Sequence, residues 1–407
     1  MKRKPRKILL AHNYYSTKNP SGENAVFDQE KQLLMQHGHL LETLTSKSDA
    51  LHEATRPTLF KVGLLAPYNI TIGLRIERII NGFNPDLLHV HNTFPMISPA
   101  IFRMVGDRCP KVMTLHNYRL ICPSATLFRN ERPCFDCVSP LGPLPGIVHG
   151  CYRKSRLATA SVAATVFLHQ LLGTWKRYVD AFIVLSEYQK EMFVSAGLPK
   201  HKIHVKPNSC ADIVISSVRH ERRPVCIYVG RLSQEKGLQT LIEAWRQWGT
   251  NAPTLKIIGD GDLREELQRL AKDLNVQFMG ILGPEQVKEE MSAASLLILP
   301  SMGLEAFGLV VIEAMRLGTP VMVSDLGPLP DLVDHGDSGL IFQAGNSSDL
   351  ISVLRDAWRN PETLRQLGEK GKIAFENRFT REKNYEMLME IYDRAYFEFS
   401  NSLDGRK

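Results

Sequence analysis

A single rhythm runs through this sequence twice, and few architectures accommodate it. A short β-branched run, a loop and a helical pattern follow one another along most of the 407 residues. That alternation marks α/β layers built on parallel sheets. In the first half the strand candidates are KILLAH (7–12), HLLETLT (39–45), DLLHVH (86–91), KVMTLH (111–116) and AFIVLS (181–186). Between the first two, ENAVFDQEKQLLMQHG (23–38) reads as a helix ending on a glycine stop signal. The second half restarts with VCIYVG (225–230), TLKIIG (254–259), VQFMG (276–280), SLLILP (295–300), PVMVS (320–324) and GLIF (339–342). The polar stretch SCADIVISSVRHERRP (209–224) reads as the linker. The expectation is two doubly wound Rossmann-like domains, 1–208 and 225–380, facing each other across a cleft. Ligands of such sheets bind outside the carboxyl ends of the strands. A last amphipathic helix, REKNYEMLMEIYDRAYFEFS within 381–407, has a face with which to dock on either domain.

Composition narrows the class. With 43% hydrophobic and 23% charged residues the chain is that of an ordinary globular protein. The formal net charge of +7 suits an anionic substrate, a nucleic acid or an acidic membrane surface. Nucleic-acid binding calls for cations interleaved with aromatics along one face, whereas here the cations are spread along the chain. MKRKPRK (1–7) carries five positive charges, but Ile8, Leu9 and Leu10 are followed at once by polar residues, too short a run for a signal peptide. The longest apolar stretch, LATASVAATVFLHQLLG (157–173), contains His169 and Gln170 and reads as an amphipathic or buried helix. The expected location is the cytoplasm, with any membrane association peripheral, at the inner face of the cell membrane.

Three segments carry chemistry. In VGRLSQEKG (229–237), Arg231 and Lys236 converge on one loop past a strand, a pairing suited to a diphosphate. In PSMGLEAFGLVVIEAMRLGTPVMVS (300–324), Glu305 precedes a helix start near Gly308, and Glu313 lies one to two turns into that helix. Free N–H groups at a helix start bind phosphate, and a carboxylate beside them suits a hydroxylated group such as a sugar or ribose. Ser21-Gly22 offers a close-approach loop in the first half. His12, His91 and His116 close strands at the expected mouth of the crevice, where imidazoles move protons or bond hydroxyls. Asp260-Gly261-Asp262 reads as a strand-to-helix turn in which Asp262 caps the next helix, in preference to a metal motif. Finally, Cys122, Cys134, Cys137 and Cys151 cluster in a loop-rich stretch of roughly 122–151. Four thiolates are the full complement of a structural zinc, with unlinked thiols or a redox pair as the alternatives. Cys109, Cys210 and Cys226 read as small core residues.

Taken jointly, GRLSQEKGLQTLIEAW (230–245) and LEAFGLVVIEAMRLGTPVMVS (304–324) resemble the donor-binding half of glycosyltransferase family 4. The resemblance extends through 179–208, PDLLHVHN (85–92) and TLHN (114–117). It implies a GT-B fold, a nucleotide diphosphate-sugar donor, an acceptor hydroxyl on a sugar, lipid-linked or small molecule, retention of configuration and no metal required for catalysis. Carried over, Arg231 and Lys236 would hold the diphosphate with backbone groups of Phe307, Gly308, Leu309 and Val310. Glu305 would contact donor-sugar hydroxyls and Glu313 the ribose, with Gly259, Gly261 and Phe278–Gly280 near the base. Gly22 would approach the phosphates. His116 matches the family's active-site histidine, and the final helix would cross back to the first domain. The cysteine-bearing insertion is not general to the family. The rival readings are a nucleotide-sugar 2-epimerase on the same scaffold, a catalytically dead sugar-nucleotide binder and a polyanion-binding protein.

Overall fold

The computed structural model describes residues 5–15, 22–49, 56–138, 142–210 and 222–404. Contacts divide the chain into two compact units. One comprises Met1–Leu127, Cys134–Asn208 and Arg381–Lys407, and the other Phe128–Pro133 and Ser209–Thr380. Ser21, MKRK (1–4) and the linker residues 211–221 lie outside the described residues.

The first unit is built on strands β1 (Lys7–Tyr14), β2 (Leu40–Lys47), β3 (Leu87–Asn92), β4 (Lys111–Thr114), β7 (Ala181–Val184) and β8 (Ile203–Val205). A short hairpin, β5 (Phe128–Arg129) with β6 (Arg132–Pro133), interrupts them in sequence. The six strands form one sheet in the order β2-β1-β3-β4-β7-β8, parallel throughout. Its inner strands are buried nearly end to end, as β3 and β7 show, because helices cover both faces, whereas the edge strand β2 is only partly buried. Ile8, Leu10, Phe27, Leu34, Leu87, Val112 and Ile183 form a core closed by Leu388, Met389, Tyr392 and Ala395 of the final helix, Arg381–Asp404. That apolar stripe is why the helix belongs to this unit.

The second unit holds β9 (Arg223–Val229), β10 (Thr254–Ile258), β11 (Val276–Gly280), β12 (Ala294–Leu299), β13 (Val321–Ser324) and β14 (Leu340–Phe342). Their order is β11-β10-β9-β12-β13-β14, again parallel throughout. β9 begins two residues earlier than the sequence pattern suggests. Arg222 secures its start by donating to the carbonyls of Ser292 at 3.1 Å, Ala294 at 2.8 Å and Gly318 at 2.6 Å.

Every strand read from the sequence is present. β8 escaped that reading because its three residues sit inside the mixed segment HKIHVKP, too short to show a period. Asp262 is a correction. The helix Arg264–Leu270 starts after Leu263 with no side-chain cap, and Asp260 ties the turn instead, accepting the Gly261 N–H at 2.8 Å and Arg264 at 3.3 Å.

Candidate active site

Each sheet reverses direction beside its first strand. The chain runs from β1 out to β2 and returns to β3 on the other flank, and from β9 through β10 to β11 before returning to β12. Loops diverge at such a switch point and leave a crevice at the strands' carboxyl ends.

In the second unit the loops after β9 and β12 are pressed together. The N–H groups of Met302 and Gly303 donate to the Glu235 carbonyl at 2.9 and 2.8 Å. A Cβ on Gly237, whose φ is 69°, would lie 2.0 Å from the Pro300 carbonyl oxygen, so only glycine fits. The turn Gln234–Lys236 is thereby held against the segment carrying Glu305. Lys236 Nζ donates to Glu305 Oε1 at 2.6 Å, and Ser301 Oγ donates to the same oxygen at 2.6 Å. Burial pushes the Glu305 carboxyl up, but the Lys236 charge and these two hydrogen bonds hold it below its ordinary range. It is therefore an ionised, fixed acceptor.

Arg231 stands further out, 3.5 Å from Glu235, while its carbonyl accepts from the buried Tyr228 hydroxyl at 2.7 Å. The turn after β10 closes on the same loop: a Cβ on Gly259 would meet the Gly230 carbonyl oxygen at 1.9 Å, and one on Gly261 the Leu232 carbonyl oxygen at 2.4 Å. Gly308, at φ 104°, begins the helix Leu309–Arg316 without a side-chain cap. The first-turn N–H groups of Leu309 and Val310 have no intrahelical acceptor, which suits an anion. Phe307 is buried with its ring 5.9 Å from Phe379, fixing the approach to that turn. Glu313 is half-buried, and burial pushes it up to about 7, with only the Lys288 charge opposing.

The first unit holds Gly22 and His116. Gly22 is the exposed first residue of the helix Gly22–Gln36. His116 lies two residues past β4 and lines a cavity with the polar Glu23, Asn92, Asn117 and Arg119 and the apolar Phe94, Met113, Val162 and Trp175. His12 lies within β1 and His91 one residue before the end of β3; both are buried, and His91 lines the same cavity as His116. His91 Nδ1 is 3.0 Å from His116 Nε2, and His91 Nε2 is 3.1 Å from Glu30 Oε1. Lys206 Nζ donates to Glu30 Oε2 at 2.9 Å and to Asn384 Oδ1 of the final helix at 3.0 Å. His89 Nδ1 also reaches Glu30 Oε1, at 3.1 Å. Burial pushes Glu30 up, but Lys206, His91 and His89 together hold it well below its ordinary range. Burial, aided by neighbouring His89, lowers His91 to about 4, and burial likewise pushes His116 well down.

Glu30, His89 and His91 are the one group of three among the described residues whose ligand atoms lie within 4.8 Å of one another. The Lys206 ammonium already supplies the cation there. The four clustered cysteines form no disulfide, with Cys122 buried and Cys134, Cys137 and Cys151 part-buried. Burial first, then the neighbouring Cys122, Cys151 and Cys134, push the Cys137 thiol up to about 12 against a hydrogen bond from the Gly146 backbone. No three of these sulfurs fall within that 4.8 Å spacing.

Sequence reasoning missed Glu23, Glu30, Lys206 and Arg119. Glu30 left a trace, since it sits on the buried stripe of its helix with Val26, Phe27, Leu33 and Leu34, where an acid is out of place. Glu23 is pushed up to about 8 by burial, against Arg119 and an Asn117 hydrogen bond. The Arg119 guanidinium packs against the mutually contacting rings of Phe94 and Tyr152, 4.6 and 5.3 Å from their centroids.

Two family models match, Glycosyltransferase Family 4 over residues 22–210 and Glycosyl transferases group 1 over residues 212–374. The sulfoquinovosyl transferase of Arabidopsis thaliana is 25% identical over 338 residues, covering 81% of this chain but only 61% of that protein. The N-acetyl-alpha-D-glucosaminyl L-malate synthase of Bacillus anthracis is 22% identical over 391 residues, covering 93% and 94%. Among solved structures, the sucrose-phosphate synthase from Thermosynechococcus elongatus superposes with a TM-score of 0.68 at 18% identity, covering 96% of this chain and 98% of that one. Anabaena HepE in complex with UDP and glucose superposes with a TM-score of 0.63 at 19% identity, covering 95% and 98%. These likenesses establish the GT-B fold, with its two Rossmann-like units. Between them the two family models take in nearly everything from residue 22 to residue 374, and the chain belongs to the group 1 glycosyl transferases of glycosyltransferase family 4.

Proposed function

We propose that this glycosyltransferase moves a hexose, with retention of configuration, from a nucleotide diphosphate-sugar to an acceptor hydroxyl in cell-surface polysaccharide or glycolipid synthesis. One observation carries the donor half: Lys236, Ser301 and ionised Glu305 are locked together beside an uncapped helix start at the switch point of the second sheet. A nucleotide diphosphate leaves as an anion. Lys236, Arg231 and the N–H groups of Gly308, Leu309 and Val310 are the groups that would meet that charge, in a site whose donors are already oriented. Glu305 would then hold donor-sugar hydroxyls, Glu313 the ribose, and the Gly259–Gly261 turn the base. The HepE structures with UDP and with UDP-glucose support a donor of this kind.

His116, in the first unit, is assigned to the reacting hydroxyls. No carboxylate is assigned as a nucleophile, so the preferred route is same-face attack, with the departing phosphate oxygen taking the acceptor proton. The decisive assay incubates the protein with UDP-, GDP- and ADP-sugars and follows nucleoside diphosphate release. Release from one donor, abolished by Lys236→Ala or Glu305→Ala, is expected. Silence across the panel together with no calorimetric binding of any donor would refute the reading. An inverted anomeric configuration in the product, read by NMR, would refute retention.

The acceptor is proposed to be presented at the cytoplasmic face of a membrane, with the protein peripheral to it. On the helix Arg156–Leu171, Leu157, Phe167 and Leu171 share one exposed face, and Lys154 and Arg156 flank its start. No helix among the described residues is long and apolar enough to cross a membrane. Co-sedimentation with vesicles containing anionic lipid, lost in Phe167→Ser/Leu171→Ser, tests this.

Cys122, Cys134, Cys137 and Cys151 are proposed as ligands of a structural zinc. The sulfurs as they stand are too far apart for a finished tetrahedral site, so binding would have to draw them together, as metal binding commonly orders its ligands. About one zinc per chain by elemental analysis is expected; a metal-free protein at full stability would rule it out.

A further inference from the structure

The reach of His116 depends on which of its nitrogens carries the proton, and the buried groups behind it fix that choice. Glu30 is ionised and can only accept. Its Oε2 takes the Lys206 ammonium at 2.9 Å, and its Oε1 lies 3.1 Å from both His91 Nε2 and His89 Nδ1. His91 must therefore carry its proton on Nε2, which leaves Nδ1 bare. That bare nitrogen is 3.0 Å from His116 Nε2, so His116 Nε2 must be the donor. The remaining nitrogen of His116, Nδ1, is then a hydrogen-bond acceptor. The neighbours agree with this assignment. His89 faces the Tyr392 hydroxyl at 2.9 Å and Glu30 Oε1 at 3.1 Å through Nδ1, and the Thr114 hydroxyl at 2.8 Å through Nε2, so it leaves Glu30 Oε1 able to accept from His91. His12, the other imidazole of the cluster, bonds Asn24 at 3.0 Å and stands outside the chain of bonds. The series is anchored at its far end by the final helix, through Asn384 on Lys206 and Tyr392 on His89 at 2.9 Å.

We propose that Lys206, Glu30 and His91 are positioning residues that lock His116 as a neutral imidazole protonated on Nε2, presenting Nδ1 as an acceptor for a substrate hydroxyl. This deepens the proposed function, since it rests on His116 acting at the reacting hydroxyls. The protein supplies the same kind of orientation that second partners give to histidines in metal and protease sites.

The first test is nitrogen-15 NMR of histidine-labelled full-length protein. His116 is expected neutral and protonated on Nε2 from pH 6 to 9; an Nδ1–H tautomer or an imidazolium in that range overturns the proposal. The second is the double variant Glu30→Met/Lys206→Met, which removes both buried charges together and so leaves neither unpaired. His91 then loses the acceptor that fixes its tautomer. His116 is expected as a mixture of tautomers, with kcat lowered roughly 10- to 100-fold, the usual cost of losing such a partner. Donor KM should stay within about twofold, since no donor contact is touched. A folded double variant with unchanged kcat, or with His116 still wholly Nε2–H, overturns the proposal as well. Full activity in His116→Ala would sink the functional assignment of His116 while leaving the tautomer result intact, so the two failures are distinguishable.

Discussion

Lys236 and Glu305 hold each other in readiness, and each should fail differently when the other is removed. Lys236 is the largest favourable influence on the Glu305 carboxyl, ahead of its hydrogen bonds. In Lys236→Ala the carboxyl loses that charge and the site loses the cation proposed to meet the diphosphate. A hydrogen bond involving a charged group contributes about 1.5–3 kcal/mol. Nucleoside diphosphate affinity by calorimetry is therefore expected to fall roughly 10- to 100-fold. Glu313 carries the opposite sign. Its folded carboxyl titrates near 7, raised by burial from 4.5. Between those values the native state binds more protons than the unfolded one, so stability falls as pH rises through the window. Glu313→Gln should accordingly stabilise the ligand-free protein above pH 7 by about 1–2 kcal/mol in urea titrations, after allowance for its partial exposure. The same substitution should weaken donor binding if Glu313 grips the ribose, a separation of stability from function typical of a site residue.

At the scale of elements, two features carry the argument. The loops after β9, β10 and β12 interlock through glycines, and Gly237 is where the first of them presses on the Pro300 carbonyl. Gly237→Ala introduces both a clash and a left-handed alanine, so a loss of about 2–4 kcal/mol is expected in chemical denaturation, with donor affinity falling alongside. The final helix is the second feature. Leu388, Met389, Tyr392 and Ala395 are fully or almost fully buried in the first unit's core, and Tyr392 also bonds His89. Tyr392→Phe removes one buried hydrogen bond and should cost about 1–3 kcal/mol, because His89 is left without that partner. Most of these elements were legible in the sequence. The strands are uniform apolar runs and the helices have clear stops, as at Gly38, whose φ is 81°. What stayed hidden was short or depended on distant partners: β8 with three residues, the β5–β6 hairpin, and the Asp260 turn in which Asp262 has no capping role.

For the molecule as a whole, pH response follows from its buried imidazoles. His12, His91 and His204 are lowered to about 4, chiefly by burial, and His39, His116 and His169 are lowered too. In each case the unfolded state binds the proton that the native state refuses between the folded value and 6.5, so stability rises with pH there. The slope is up to about 1.4 kcal/mol per pH unit for each such histidine. Glu23, Glu313 and Asp180, raised by burial, act in the opposite sense. Six groups outweigh three below pH 6.5, and above it only the raised carboxyls remain. The melting temperature should thus climb steeply from pH 4.5, peak near 6.5, and decline slightly by pH 8.5 in scanning calorimetry. A flat profile would mean that the imidazoles are solvated.

The sequence alone determined the architecture and singled out the candidate donor-side residues, because both are written locally. Strand-forming runs recur at short range, and Arg231, Lys236, Glu305 and Glu313 sit in two contiguous segments whose spacing has chemical meaning by itself. Tertiary structure alone decided the rest. Glu30, His91, Lys206 and Asn384 are up to 354 positions apart, yet meet within hydrogen-bond distance in a buried space. Nothing in one-dimensional periodicity records which polar side chains will share such a space. Burial then sets their charges: Glu30 is held ionised because Lys206 faces it, and His91 is held neutral chiefly by burial.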